Sequence, residues 1–252
     1  MEHSKNIKVI RIMAATLSRL GTSPREARIP ALDAGFLHEL HAAAEDRAAA
    51  LAFGLVAGMQ ASEGALVLTR RVRSGGGAVP CGEGLALLGI DPARLVMVDA
   101  PDELGVLRAG LEAARCPQVA AVLVEAEGRF APYDLTASRR LALAAERNRN
   151  RVIVLRLDAE PRASAAQTRW ALASAPSLPL EAEAPGWPAL AAELLRWRGG
   201  AAGARWRLEW DEQHGGFHRP IEPAPLPRLV VPAVRGGAGS AGTGAAAEPR
   251  AA

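Results

Sequence analysis

The chain has 252 residues, 49% of them apolar and 23% charged, with a net charge of +3 and two cysteines. That length bounds it to one sizeable domain, or one domain with a tail. Cys81 and Cys116 are too few and too far apart for a metal cluster or a disulfide framework. No apolar run approaches the roughly 20 residues a membrane helix needs, so the expectation is a cytoplasmic protein.

In chain order, residues 1–28 read as a loosely attached arm. Ile7, Ile10, Met13, Ala14 and Leu17 fall at helical spacing, without a signal peptide's uninterrupted apolar core or cleavage site. Gly21-Thr22-Ser23-Pro24 ends the arm, and a folded domain is expected over residues 29–218. Residues 36–40 read as a strand, 41–47 as a loop and 48–59 as an apolar helix, the order of a phosphate-binding element. Such a loop needs glycines, so that its amides can wrap phosphate, and a lysine at the helix start. Here it reads His41-Ala42-Ala43-Ala44-Glu45-Asp46-Arg47, and the last lysine in the chain is Lys8. Glu45 and Asp46 suit the helix N-terminus electrostatically, where a phosphate would otherwise sit. The element points away from an ATPase.

Next come an apolar strand at 65–69, a flexible loop at 73–77, a short helix at 83–88 and a strand at 94–99. Asp99 is expected to cap the following turn. Pro101 and Asp102 start a helix that runs to about Arg115. Residues 119–124 form a strand ending at Glu125, Asp134 or Thr136 caps a helix through Arg147, and 152–157 form a further strand. Strands free of internal polar residues that alternate with helices indicate a mostly parallel α/β sheet flanked by helices. Beyond Pro161 the texture changes. Residues 168–173 and 205–210 alternate like strands, and 188–197 between them fit a helix or an extended segment. Antiparallel strands added at the edge of the sheet, near the C-terminus, would account for this. From residue 219, proline and then glycine and alanine take over, so 219–252 reads as a disordered tail.

No catalytic, cofactor or metal constellation emerges. Glu125 stands at a strand end where a nucleotide hydrolase holds its magnesium-handling acid, but no phosphate-cradling residues accompany it. His38 and His41 lack an acid at recognisable spacing, and Gly215-Gly216 argues against a helix carrying His214 and His218 to one metal. Arginine and tryptophan offer more. Arg139-Arg140, Arg169-Trp170, Arg196-Trp197-Arg198 and Trp206 lie in the C-terminal half. Arginine beside tryptophan suits interface hot spots and cation–π contact, and the same chemistry would hold a phosphate backbone or a splayed base. The alternative is that the tryptophans fill the core while the arginines lie along the surface. Interspersed acids (Glu193, Glu209, Asp211) favour a protein partner over DNA.

The opening strand, empty loop and helix resemble the start of the RecA core, with Glu125 at its magnesium-site acid and no counterpart to its Lys-Thr. More specifically, Gly-Leu-x-x-Leu-Gly-Ile-Asp-Pro-Ala-Arg-Leu from Gly84 to Leu95 resembles the ImuA family. So do the segments that begin Ser138-Arg139-Arg140 and Ser164-Ala165-Ala166, and Arg196-Trp197-Arg198-Gly199-Gly200 with Trp206 to Trp210. The resemblance covers about residues 35–212. It implies a RecA-like fold and a damage-inducible accessory protein rather than an enzyme. Such a protein acts in translesion synthesis with ImuB, an inactive polymerase relative, and an error-prone replicative-type polymerase, and this chain is expected to bind ImuB, RecA or both. Weak single-stranded DNA contact and homo-oligomerisation are compatible with it. Two rival readings are a SulA-like division inhibitor that binds FtsZ and a weak ATPase with Arg47 in place of lysine.

Overall fold

The computed structural model describes residues 32–59, 63–72, 79–180, 182 and 184–219. The expected N-terminal arm, the 73–77 loop and all but the first residue of the expected tail lie outside the described residues. Nine strands form one sheet in the order β3-β2-β4-β5-β1-β6-β7-β8-β9. They are β1 (Leu37–Ala42), β2 (Ala65–Arg71), β3 (Leu95–Ala100), β4 (Val119–Glu127), β5 (Arg151–Leu157), β6 (Thr168–Ala175), β7 (Ala189–Trp197), β8 (Arg205–Asp211) and β9 (Gly216–His218). The helices are α1 (Arg47–Met59), α2 (Gly82–Leu87), α3 (Glu103–Ala114) and α4 (Leu135–Asn148). None of the described helices is long and apolar enough to cross a membrane.

The strands from β3 to β6 in that order run parallel, and β7, β8 and β9 are added antiparallel. This is the mostly parallel α/β sheet expected, with one refinement. β6 is itself parallel to β1, because residues 158–167 carry the chain back along the sheet before it re-enters, so the antiparallel set starts at β7. Residues 188–197, which fit either a helix or an extended segment, are resolved as strand β7. Leu190 and Ala192 pair with Leu208 and Trp206 of β8, and that period of two buries their side chains on one face.

Crossovers from β1 to β2 to β3 move one way across the sheet and put α1 and α2 on one face. Those from β3 to β4 to β5 move back and put α3 and α4 on the other. Crossovers of one hand require this split, and it creates two cores. On one face Leu40, Leu123, Ile153, Leu155 and Trp170 meet α1, and on the other Val122, Val124, Val152 and Val154 meet α3 and α4. The apolar character of α1 follows from its place over the middle of the sheet. It comes so close to β4 that a Cβ at Gly58 would lie 2.8 Å from Ala121 Cβ. Asp102 and Asp134 cap α3 and α4 through hydrogen bonds accepted from Gly105 N and Ala137 N, both 2.7 Å. Asp99 does not cap the next turn: it accepts a hydrogen bond from Arg70 Nε at 2.6 Å.

Candidate functional site

β1 extends two residues further than its apolar pattern suggests, through His41 and Ala42. Residues Ala44–Asp46 then form one turn of 3-10 helix, and α1 starts at Arg47. Strand end, loop and helix start therefore retain the layout of a phosphate-binding element, at the carboxyl ends of parallel strands where such sheets bind ligands. The polar groups there are turned on one another. Arg47 donates from Nε to Glu125 Oε1 at 2.8 Å and from Nη2 to Oε2 at 2.7 Å, a fork-to-fork ion pair. The two side chains are 17% and 8% exposed. Donating to the Glu125 carboxylate raises the Arg47 pKa above its ordinary value, against the opposing effect of burial.

The loop's backbone is engaged as well. Ala44 N donates to Asp158 Oδ1 at 3.0 Å, so a carboxylate of the chain itself takes an amide that in a phosphate loop would face a phosphate. Asp46 Oδ1 accepts from Ser174 N of β6 at 2.8 Å and ties the loop to the neighbouring strand. The sequence singled out Arg47 only in the rival ATPase reading, and Glu125 only as an acid at a strand end without phosphate-cradling company. Their union was not legible, because they lie 78 positions apart. Asp158 gave no signal: it follows β5 in a left-handed conformation (φ 47°) that only the fold explains.

A second polar cluster lies under the α4 face. Glu39 is 2% exposed and accepts hydrogen bonds from Tyr133 Oη at 2.7 Å and Arg169 Nε at 2.6 Å. His41 Nε2 stands 3.7 Å from the same carboxylate. Burial opposes the Glu39 charge, but His41, Arg169 and Tyr133 more than offset it and hold the pKa at about 2. Burial, followed by the charge on Glu39, drives the Tyr133 hydroxyl well above its ordinary value. These groups join β1, β6 and the approach to α4, which makes the cluster a lock within the fold.

On the opposite face of β1, His38 Nε2 lies 3.0 Å from Asp33 O and its Nδ1 lies 2.8 Å from Thr168 Oγ1. A carbonyl only accepts, so Nε2 carries the proton and Nδ1 accepts from the threonine hydroxyl. That hydroxyl in turn accepts from Trp170 Nε1 at 2.9 Å. The chain of bonds is complete with a neutral ring, and burial lowers the His38 pKa to about 4.

The arginine and tryptophan candidates divide by face. Trp170 is fully buried, with its ring centroid 6.2 Å from Phe53 and 5.5 Å from Trp206, which is 3% exposed. Both rings cover α1, where an apolar helix needs apolar cover, so they belong to the core and not to a docking surface. Arg169, one residue along, points to the other face and is spent on Glu39. Arg139, Arg140 and Arg198 are exposed, Trp197 is 36% exposed, and Arg196 is half-buried. Arg196 Nη1 and Arg198 Nη2 both donate to Ser164 O, at 3.2 and 3.3 Å, and Arg169 Nη2 reaches Ser164 Oγ at 3.1 Å. Ser138, just before Arg139, accepts from Ala165 N at 3.1 Å, which ties α4 to the same segment. His214 and His218 bring their rings within 5.6 Å, and His214 Nδ1 lies 2.7 Å from Asp211 Oδ2.

No protein-family model matches the chain. Two curated proteins named Protein ImuA, from two strains of Caulobacter vibrioides, are each 40% identical to it over 146 residues. Over that stretch the chain is similar to Protein ImuA. The match takes in 54% of this chain and 58% of each relative, so the chain spans a little over half the length of the curated relatives it matches. Among solved structures, the crystal structure of the RadB recombinase aligns with 72% of this chain and 90% of that one, at 15% identity and a TM-score of 0.47. In this chain, the motifs that first suggested the family are largely packing elements. Leu85 and Ile90 are buried beside α1, Ser138 is fully buried, and Ser164 and Trp170 sit at the entrance to β6.

Proposed function

We propose that this ImuA-like chain is a non-catalytic accessory protein of damage-induced mutagenic DNA repair. In this reading it is a cytoplasmic scaffold that brings together an ImuB-type inactive polymerase relative, RecA and an error-prone polymerase during translesion synthesis. The observation that carries the reading is the Arg47–Glu125 pair over a loop whose Ala44 amide is held by Asp158. A nucleotide would have to break that bidentate pair and displace a carboxylate before phosphate or metal could enter. The similarity to Protein ImuA supports placing the chain in damage-induced mutagenesis. A RecA-like core offers subunit faces beside the former nucleotide site, so contacts can outlast the loss of ATP chemistry. The test is co-purification of the full chain with ImuB and RecA at moderate salt. Retention of either partner supports the scaffold, and failure to retain both contradicts it.

A further inference from the structure

β7 ends in Arg196-Trp197 and runs on through Arg198-Gly199-Gly200, and these five residues make a surface that the protein's own packing leaves open. Arg196 and Arg198 converge on one backbone carbonyl, Ser164 O, so two guanidinium groups are held close together. The carboxylates on β1, β7 and β8 are already used. Glu39 is taken by Arg169 at 2.6 Å, Glu193 by Arg205 at 2.8 Å and Glu209 by Arg207 at 2.6 Å. Asp211, another acid that argued against DNA, lies against His214. Arg196 and Arg198 form no ion pair among the described residues, and burial together with the charges of Arg198 and Arg169 pulls the Arg196 pKa down. The cluster is positive and uncompensated.

Trp197 stands between the two arginines and differs from the core tryptophans. It makes no ring contact among the described residues, but its indole rests against the turn that follows. A Cβ at Gly199 would lie 2.8 Å from Trp197 Nε1, and one at Gly200 would lie 2.6 Å from Cζ3. Neither glycine has a positive φ, so close approach to the ring is what requires them. The indole is thereby fixed in place while 36% of the residue remains exposed. Alternation along the strand turns the arginines to one side and the indole to the other. A flexible polyanion that crosses this strand end can therefore meet cations first and an aromatic face next. Single-stranded nucleic acid has that chemistry, with phosphates for the guanidinium groups and an unpaired base for the ring.

We infer that the end of β7 is a single-stranded nucleic-acid contact, in which Arg196 and Arg198 hold phosphates and Trp197 stacks on a base. It lies apart from the Arg47–Glu125 element and needs no protein partner. The test is fluorescence anisotropy of the full chain with an oligothymidylate across a salt series, with circular dichroism to check that each variant folds. Trp197→Ala is expected to weaken binding about tenfold and Trp197→Phe by much less, because a stacking face is kept. Gly200→Ala, which pushes the ring out of place, should resemble Trp197→Ala. Arg196→Gln with Arg198→Gln should lower the slope of log affinity against log salt by about 1.4, from about 0.7 per single-strand phosphate. The inference is overturned by absence of binding at low salt, by unchanged affinity in folded variants, or by equal competition from polyglutamate.

Discussion

Arg47 shows how one residue can carry both a packing and a functional argument. It is the first residue of α1, and its guanidinium closes on a carboxylate from β4. Replacing it with alanine leaves Glu125 in place without its partner. The expected cost is about 2 kcal/mol, below the roughly 3–5 of fully buried pairs because Arg47 keeps some solvent contact. Arg47→Met combined with Glu125→Leu should recover most of that loss, and urea denaturation of the three variants measures it. His38 and Glu39, adjacent but on opposite faces, give the fold a pH dependence with a definite sign. The unfolded His38 binds its proton near 6.5 and the folded one near 4, so the unfolded state holds more protons between those values. Stability is therefore full above about 6.5 and falls as the pH drops towards 4, by about 3 kcal/mol at roughly 1.4 per pKa unit. Glu39 acts in the next window: its contribution is present above 4.5 and is lost as the pH falls towards 2. Urea midpoints at successive pH values should decline across both windows, and His38→Gln should flatten the upper one.

Among the elements, the central strands were legible because burial on both faces leaves only apolar residues to write. β4 from Val119 to Val124 and β5 from Val152 to Leu155 read as uninterrupted runs for that reason. β7 was less legible because Pro188 precedes it and Glu193 interrupts it, and its period of two makes sense only against β8. The direction of β6 was not written locally at all, since it depends on where residues 158–167 travel. Trp170 and Trp206 illustrate the same limit. Their arginine neighbours suggested an interface, and only the sheet shows that alternate residues serve opposite faces. Two substitutions test the account of α1. Gly58→Leu should cost about 1–3 kcal/mol, since there is no room beside Ala121. Trp170→Ala should cost about 3–5 kcal/mol by opening a hole between Phe53 and Trp206. Thermal or urea unfolding checks both.

For the molecule as a whole, the sheet has a ligand-binding layout while the charges at the Arg47 loop are satisfied from within. The missing lysine and glycines were visible in the sequence. The sequence did not show what replaced them, because the Arg47–Glu125 pair and the Asp158 contact join residues 78 and 114 positions apart. In the proposed reading the function falls to surfaces, among them the end of β7 and the exposed arginines of α4. The most direct test of a closed site is titration of the full chain with a fluorescent ATP analogue and magnesium, with Glu125→Gln measured in parallel. The account predicts no saturable signal at millimolar nucleotide and no hydrolysis above buffer. Saturable binding or turnover that disappears in Glu125→Gln would contradict it.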